Sequence, residues 1–305
     1  MENSKKLRCG FVALLGRPNV GKSSLINALL KEKVAAVSSK PQTTRNAVRC
    51  ILTDAEKQII FVDTPGMHMP KHALGDFMIH EITESLMCVD AVCFVAEAGD
   101  RSIGAKEKML IRLLSQANLP VVVALNKTDL LVNQDNSKKT AEIYEKEICP
   151  SAVVEVSATE GSNLDKLADA IAMVLPKQEA IYPEDMLMDS TEKFLAAEII
   201  REKVFHHTDE EVPHSVAVIV DEYKTPVEYP KLKTARISAT IIVDRAGQKG
   251  IIIGRQGAKL KEIGTAARKE LEERIGGPVF LQLWVKVKNN WRKSEDELRR
   301  LGYSF

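Results

Sequence analysis

The chain has 305 residues, 45% of them hydrophobic and 28% charged, the composition of a globular protein with room for two domains. Its five cysteines (Cys9, Cys50, Cys88, Cys93, Cys149) form no Cys-x-x-Cys pair, which argues against a zinc site or a disulfide framework and suits a reducing cytosol. The net charge of +1 hides an asymmetry. From residue 231 onward about 17 Lys/Arg stand against 8 Asp/Glu, and the rest of the chain is acidic. A basic half of this kind suits a polyanionic partner, or is simply a solvated basic face.

In chain order, apolar runs predict strands at 11–15, 48–53, 58–62, 91–97, 120–126 and 152–156. They alternate with helical patterns that begin at 24–30 and end at 163–175. The alternation predicts a doubly wound α/β sheet with a ligand at the C-terminal ends of its strands. Residues 1–176 form this first domain, a polar, proline-bounded stretch at 177–190 reads as a linker, and a second domain occupies 191–305. The segment 1–8 carries no apolar signal region, and no run approaches the roughly 18 residues of a membrane span. A cytoplasmic protein is expected, with attachment to a membrane surface left open.

Between the first strand and first helix lies Gly16-Arg17-Pro18-Asn19-Val20-Gly21-Lys22-Ser23, a phosphate-binding loop. Its glycines let the backbone N–H groups face the phosphates, Lys22 reaches the β/γ oxygens, and Ser23 holds Mg²⁺. Val20 and Ser24 belong to the same set of contacts. At the end of the third strand, Asp63-Thr64-Pro65-Gly66 supplies a carboxylate that meets Mg²⁺ through water and, at Gly66, an N–H for the γ-phosphate. Asn126-Lys127-Thr128-Asp129 selects the base. The Asp129 carboxylate accepts two parallel hydrogen bonds from guanine, for which adenine has no matching donors. Asn126 ties this segment to the phosphate loop, and the aliphatic stem of Lys127 covers the base. After the sixth strand, Ser157-Ala158 offers a backbone N–H to the guanine oxygen. The ligand is therefore GTP or GDP with Mg²⁺.

The second domain reads as helix 192–205, strands 215–223 and 234–243, a short apolar helix, a tight turn, helix 258–274, strand 279–288 and a final helix 295–301. The turn is Gly254-Arg255-Gln256-Gly257. Two glycines around Arg and Gln permit close approach of a nucleic-acid backbone, and an exposed hydrophobic groove beside them would receive bases. Lys259 is grouped with this RNA-binding turn. With the order of elements and the basic excess, the segment reads as an α+β RNA-binding KH fold of the α-first kind, type II. Trp284, within an alternating strand, is expected in the core rather than stacked on a base.

Gly-Arg-Pro-Asn-Val-Gly-Lys-Ser, Pro-Gln-Thr-Thr-Arg at 41–45, Asp-Thr-Pro-Gly and Asn-Lys-Thr-Asp, followed by Gly-Ile-Ile-Ile-Gly-Arg-Gln-Gly, closely resemble the bacterial Era-type GTPases over essentially the whole chain. The run Leu283-Trp284-Val285-Lys286-Val287-Lys288 and the ending Leu301-Gly302-Tyr303 resemble them too. The resemblance implies a monomeric GTPase that binds the 3′ end of 16S rRNA and assists 30S subunit assembly, and a slow intrinsic rate is expected because Met67 after Gly66 cannot orient the attacking water. Some members also associate with the inner face of the membrane. Related GTPases place a Mg²⁺ ligand directly before the switch arginine, which favours Thr44, although sequence leaves Thr43 and Thr44 open. Lys22, Thr44 and Gly66 are the residues expected to act on the γ-phosphate. Met67 stands where other switch GTPases carry a glutamine, and His68 beside it reads as a solvated loop residue. Asn19 either suits the turn geometry of its loop or stands where GTPases lacking that glutamine bind K⁺. A double-GTPase factor would repeat the phosphate loop, and a tRNA-modifying relative would carry a C-terminal cysteine; neither is present. The remaining alternative is a signalling or membrane-docking GTPase whose basic domain binds anionic lipid or a protein partner.

Overall fold

The computed structural model describes residues 6–38, 40, 43–67, 73–133 and 135–303. Pro41 and Gln42 of the switch motif, His68 and residues 1–5 of the N-terminal segment lie outside the described residues. The chain divides into two compact units with its main boundary between Asp189 and Ser190.

In the first unit the strands are β1 (Leu7–Leu15), β2 (Val48–Thr53), β3 (Lys57–Asp63), β4 (Ala91–Glu97), β5 (Val121–Asn126) and β6 (Ala152–Glu155). β6, β5, β4, β1 and β3 run side by side in parallel, and β2 adds antiparallel beyond β3. β1, β4 and β5 are nearly continuous apolar runs because both faces of the sheet are covered. Val12 and Leu14 of β1 pack in one core with Leu25 and Leu29 of α1 (Lys22–Leu30) and Leu167 and Ile171 of α5 (Leu164–Val174). The alternate residues Ala13 and Leu15 pack on the other side. There they meet Ile82 of α2 (Ala73–Met87), Leu110 and Leu114 of α3 (Ala105–Ala117) and Tyr144 of α4 (Asp135–Ile148). Chain order reverses at β1, which has β3 on one side and β4 on the other, so a crevice opens at the C-terminal end of β1.

The stretch read as a linker is laid onto this sheet. β7 (Lys177–Gln178) pairs antiparallel with β1, and β8 (Met188–Asp189) pairs antiparallel with β2. Gln58 of β3, fully buried, clamps the chain between them. Its Oε1 accepts from the Ile181 and Tyr182 N–H groups at 2.8 and 2.9 Å, and its Nε2 donates to the Tyr182 carbonyl at 2.8 Å. Tyr182 and Met186 pack on Ile51 and Ile60. Polar composition predicted few contacts here, but a strap held through its backbone needs no apolar sequence of its own.

The second unit is α6 (Glu192–His207), β9 (Ala217–Lys224), β10 (Ala235–Val243), α7 (Ala246–Ile253), α8 (Ala258–Ile275), β11 (Val279–Val287) and α9 (Glu295–Arg300). Thr191 caps α6 by accepting from the Phe194 N–H. The sheet order is β11-β10-β9. β9 is antiparallel to β10, and the α7–α8 crossover makes β11 parallel to β10. Ala239, Ile241 and Val285 face Ile200 and Val204 of α6 and Ile263 and Ala267 of α8.

Trp284 departs from expectation. Val279, Leu281, Leu283 and Val285 point towards the helices, so the even-numbered residues of β11 point away, and Trp284 is 54% exposed. Trp291 is the buried tryptophan, with Nε1 donating to the Ser215 carbonyl at 3.1 Å. No helix among the described residues is long and apolar enough to cross a membrane.

Replacing Gln58 with Leu leaves the Ile181 and Tyr182 N–H groups without their acceptor. We expect a loss of about 3 kcal/mol of stability in urea unfolding and faster proteolytic cleavage between residues 177 and 189. A loss below about 0.5 kcal/mol would show that the strap is held by something else.

Candidate functional site

Five loops meet in the crevice at the C-terminal edge of the sheet. The first leaves β1 and enters α1. Its tightness is set by Gly21, which has φ +97° and no room for a side chain, since a Cβ would lie 2.4 Å from Nδ2 of Asn126. At Gly16 a Cβ would meet the Val95 carbonyl oxygen at 2.4 Å. No side chain caps the start of α1, which leaves the N–H groups of its first turn directed into the crevice. Val20 is buried beneath the loop, and Asn19 is exposed with φ +66°. Lys22 is buried, with Nζ 3.4 Å from the Gly16 carbonyl. Burial pushes its ammonium pKa down against the opposing attraction of Asp63, an environment that an anionic ligand would relieve.

Ser23, the next residue, turns its hydroxyl to Asp63 at the end of β3, donating to Oδ2 at 2.7 Å. Thr44 Oγ1 donates to the same oxygen at 3.0 Å and lies 3.1 Å from Ser23 Oγ. Two hydroxyls and a carboxylate thus converge, the hard oxygen donors that Mg²⁺ takes alongside phosphate and water. Thr43 Oγ1 instead donates to the Lys40 carbonyl. Thr64 Oγ1 donates to the Leu14 carbonyl at 2.6 Å and ties the third loop to β1. Gly66 packs against Pro18, where a Cβ would sit 3.1 Å from Pro18 Cα. Met67 is fully buried in the core with Ile82 and Phe94.

Asn126 joins the remaining loops. Its Nδ2 donates to the Val20 carbonyl at 2.8 Å, and its Oδ1 accepts from the Ala158 N–H at 3.1 Å. Asp129 is oriented by Ser157, whose hydroxyl donates to Oδ1 at 2.6 Å. The Ser157 N–H itself goes to the Ser162 carbonyl. Of the two amides offered to a guanine oxygen, only Ala158 faces this junction, and it shares its proton with Asn126. Ser157 acts here through its side chain, which motif reading did not reveal. Lys127, with φ +64°, extends to Glu97 with Nζ–Oε1 2.6 Å, which fixes the course of its stem. Glu97 also receives Arg17 of the phosphate loop at 3.2 Å, and Arg17 reaches Asp100 at 2.8 Å and Glu107 at 3.3 Å. Burial alone would raise the Glu97 carboxyl, but the Lys127 ammonium and Arg17 guanidinium outweigh it and hold the pKa low. No motif marks these carboxylates, which lie at the end of β4, in the turn that follows it and on α3.

In the second unit the turn between α7 and α8 has Gly254 at φ +70°, Gln256 at +51° and Gly257 at +80°. Arg255 and Gln256 project into solvent, and Lys259 follows in the first turn of α8. Beside the turn runs a groove of about 500 Å³. Leu260, Leu281 and Leu283 give it apolar walls, and Lys261 and Arg268 lie along it. Bases can stack on the first set while phosphates meet the second.

The first unit is a P-loop GTPase domain and the second a KH domain. Residues 11–127 match the family described as 50S ribosome-binding GTPase, and residues 211–292 match the KH domain. The GTPase Era of Alkaliphilus oremlandii is 45% identical over 296 residues, covering 97% of this chain and 99% of its own. A crystal structure of an Aquifex aeolicus Era variant bound to GDP and AlF4⁻ superposes with a TM-score of 0.91 at 41% identity, covering 97% of this chain and 99% of that one. Another, of Era in complex with MgGDPNP and nucleotides 1506–1542 of 16S ribosomal RNA, gives 0.93 at 40% identity, covering 98% and 100%. The chain belongs to the Era family of GTPases.

Two substitutions test the crevice. Lys22→Ala should abolish detectable GTP binding. Asp129→Asn should lower GTP affinity on the order of 100-fold or more and raise that for xanthosine triphosphate, which presents an acceptor where guanine has its amine. Unchanged GTP affinity in nucleotide titrations of the second variant would remove Asp129 as the base reader.

Proposed function

We propose that this chain is a slow GTP-hydrolysing switch that holds the single-stranded 3′ end of 16S rRNA in its KH groove and assists assembly of the small (30S) ribosomal subunit. The observation that carries this reading is the pairing in one chain of the GTP crevice with a groove of apolar walls and cationic rim beside a Gly-x-x-Gly turn. The related Era bound to both MgGDPNP and 16S rRNA nucleotides supports it. An anionic lipid surface needs only charge, so the groove's apolar walls favour RNA over the lipid reading. A cytoplasmic location is supported by the cysteine pattern as well as the family resemblance, and peripheral contact at the inner membrane face and a monomeric state by the resemblance alone.

In this reading Lys22 meets the β/γ oxygens, Gly66 donates its N–H to the γ-phosphate, and Ser23 and Thr44 are the direct protein ligands of Mg²⁺, with Asp63 acting through water. The bound Mg²⁺ would offset negative charge on the β- and γ-phosphates. Asn126, Lys127, Asp129 and Ala158 enclose the guanine. Hydrolysis is slow because Met67, packed in the core, has no hydrogen-bonding group to orient the attacking water.

Gly257→Asp is the cleaner test of the RNA-binding turn. A Cβ at Gly257 meets nothing within 4 Å, whereas one at Gly254 would press on Lys259 at 2.8 Å. The added carboxylate should weaken binding of 16S rRNA 3′-end oligonucleotides roughly tenfold or more, measured by fluorescence anisotropy, with GTP hydrolysis unchanged. Gly254→Asp should weaken it as well, and a folded Gly257→Asp protein that binds like the parent would remove the turn from the RNA site.

Asn19 allows a test of cation dependence. A K⁺ ion beside it would neutralise charge developing between the β- and γ-phosphates. Its αL backbone alone also accounts for an Asn at this position. We expect turnover to be severalfold faster in K⁺ than in Na⁺ at constant ionic strength, and Asn19→Ala to remove most of the difference. Equal parental rates in the two salts, at saturating GTP, would leave Asn19 with the turn alone.

A further inference from the structure

β11 is an edge strand whose two faces do different things. Leu281 and Leu283 point inward and wall the groove beside the Gly-x-x-Gly turn. The residues between and beside them point outward, where Phe280 is 60% exposed, Trp284 is 54% exposed, and Gln282 and Lys286 are exposed with them. A solvent-facing strand ordinarily carries polar residues at such positions, so two large rings on one open face require a reason. Four residues apart, they are separated by about 13 Å along the strand. In register, Arg236 of β10 lies opposite Phe280, Ser238 opposite Gln282 and Thr240 opposite Trp284. Each ring therefore has a cation nearby on the same face, Arg236 directly across from Phe280 and Lys286 two residues beyond Trp284.

Among the described strand residues of this side the carboxylates belong to β9, where Glu222 lies within electrostatic reach of Arg236. Glu222 is paired with Lys224 at 2.6 Å, and Asp221 accepts from Thr240 Oγ1 at 2.7 Å. The β11 border is left aromatic and cationic. Rings flanked by cations suit single-stranded nucleic acid, in which every base has a π-face to stack and every phosphate a charge to meet.

We infer that the outer face of β11 is a second RNA-binding surface, a stacking platform on which Trp284 and Phe280 each receive an unpaired base and Lys286 and Arg236 meet the backbone. It continues the path of the RNA strand held in the groove, since the two surfaces are the opposite faces of one edge strand. The inference rests on the groove reading above and extends the contact beyond it.

The two tryptophans make the test direct. Trp291 is buried, so iodide-accessible emission comes from Trp284. The full chain with GDPNP is titrated with two oligoribonucleotides from the 3′ end of 16S rRNA. One has about six nucleotides, enough for the groove, and the other extends it by about six on each side. The longer RNA should shield Trp284 from iodide and the shorter should not. Trp284→Ala should weaken the longer RNA about tenfold while leaving the shorter within about twofold, and Trp284→Phe should restore most of the loss. Circular dichroism and GTP hydrolysis should match the parent. The platform is overturned if the longer RNA binds with Trp284 still accessible, or with affinity unaffected by Trp284→Ala. Failure of the groove looks different, because the shorter RNA would then not bind while the longer one still shields Trp284. If neither RNA binds, both readings fall.

Discussion

The nucleotide crevice is built around one buried amide. Asn126 stands at the end of β5 with its two polar atoms committed in opposite directions, Nδ2 to the Val20 carbonyl and Oδ1 to the Ala158 N–H. A buried amide that lost either partner would leave a polar group unsatisfied at a cost of about 1–3 kcal/mol, so the loop that cradles phosphate and the loops that read the base are fixed to each other. The same side chain explains a backbone requirement elsewhere. Position 21 must be glycine because Asn126 fills the space its Cβ would occupy. Three segments far apart in sequence therefore share one geometric reference.

A second, electrostatic connection runs outside the first. Glu97, at the end of β4, accepts both Arg17 from the phosphate loop and Lys127 from the base loop. The Glu97 site is only partly solvent-exposed, and its carboxyl pKa is held low by the two cations against the cost of burial. Arg17 spreads its charge further to Asp100 and Glu107, and Glu107 accepts from the Tyr144 hydroxyl at 2.9 Å. Loop positions that would otherwise fray are thereby tied to α3 and α4. Such a network works by orientation more than by net stability, since part-exposed ion pairs contribute little by themselves.

Much of this was legible in the sequence, and what was not has physical reasons. The phosphate loop, Asp63, Asn126 and Asp129 were readable because each sits in a short contiguous motif beside a strand of strong apolar pattern. The same applies to the strands, where β2 and β4 fall at the expected residues. Where the Thr43 and Thr44 hydroxyls point was not legible, since neighbouring side chains differ only in direction. Gln58 gave no signal and Ser157 signalled only its backbone N–H, because the side chains act by meeting chain more than a hundred and some thirty residues away. Trp284 misled. Alternation identifies which residues share a face but not which face is covered, and hydrophobicity was a poor guide on a strand that carries rings on its open side.

The strap formed by β7 and β8 changes where the first unit can be said to end. Its helices finish at Val174, yet residues 177–189 supply two strands and the acceptor and donors for Gln58. Any fragment cut just after α5 would bare the edge of β2 and strand a buried glutamine facing water. A GTPase fragment of this chain would accordingly have to run to Asp189 to keep these pairings.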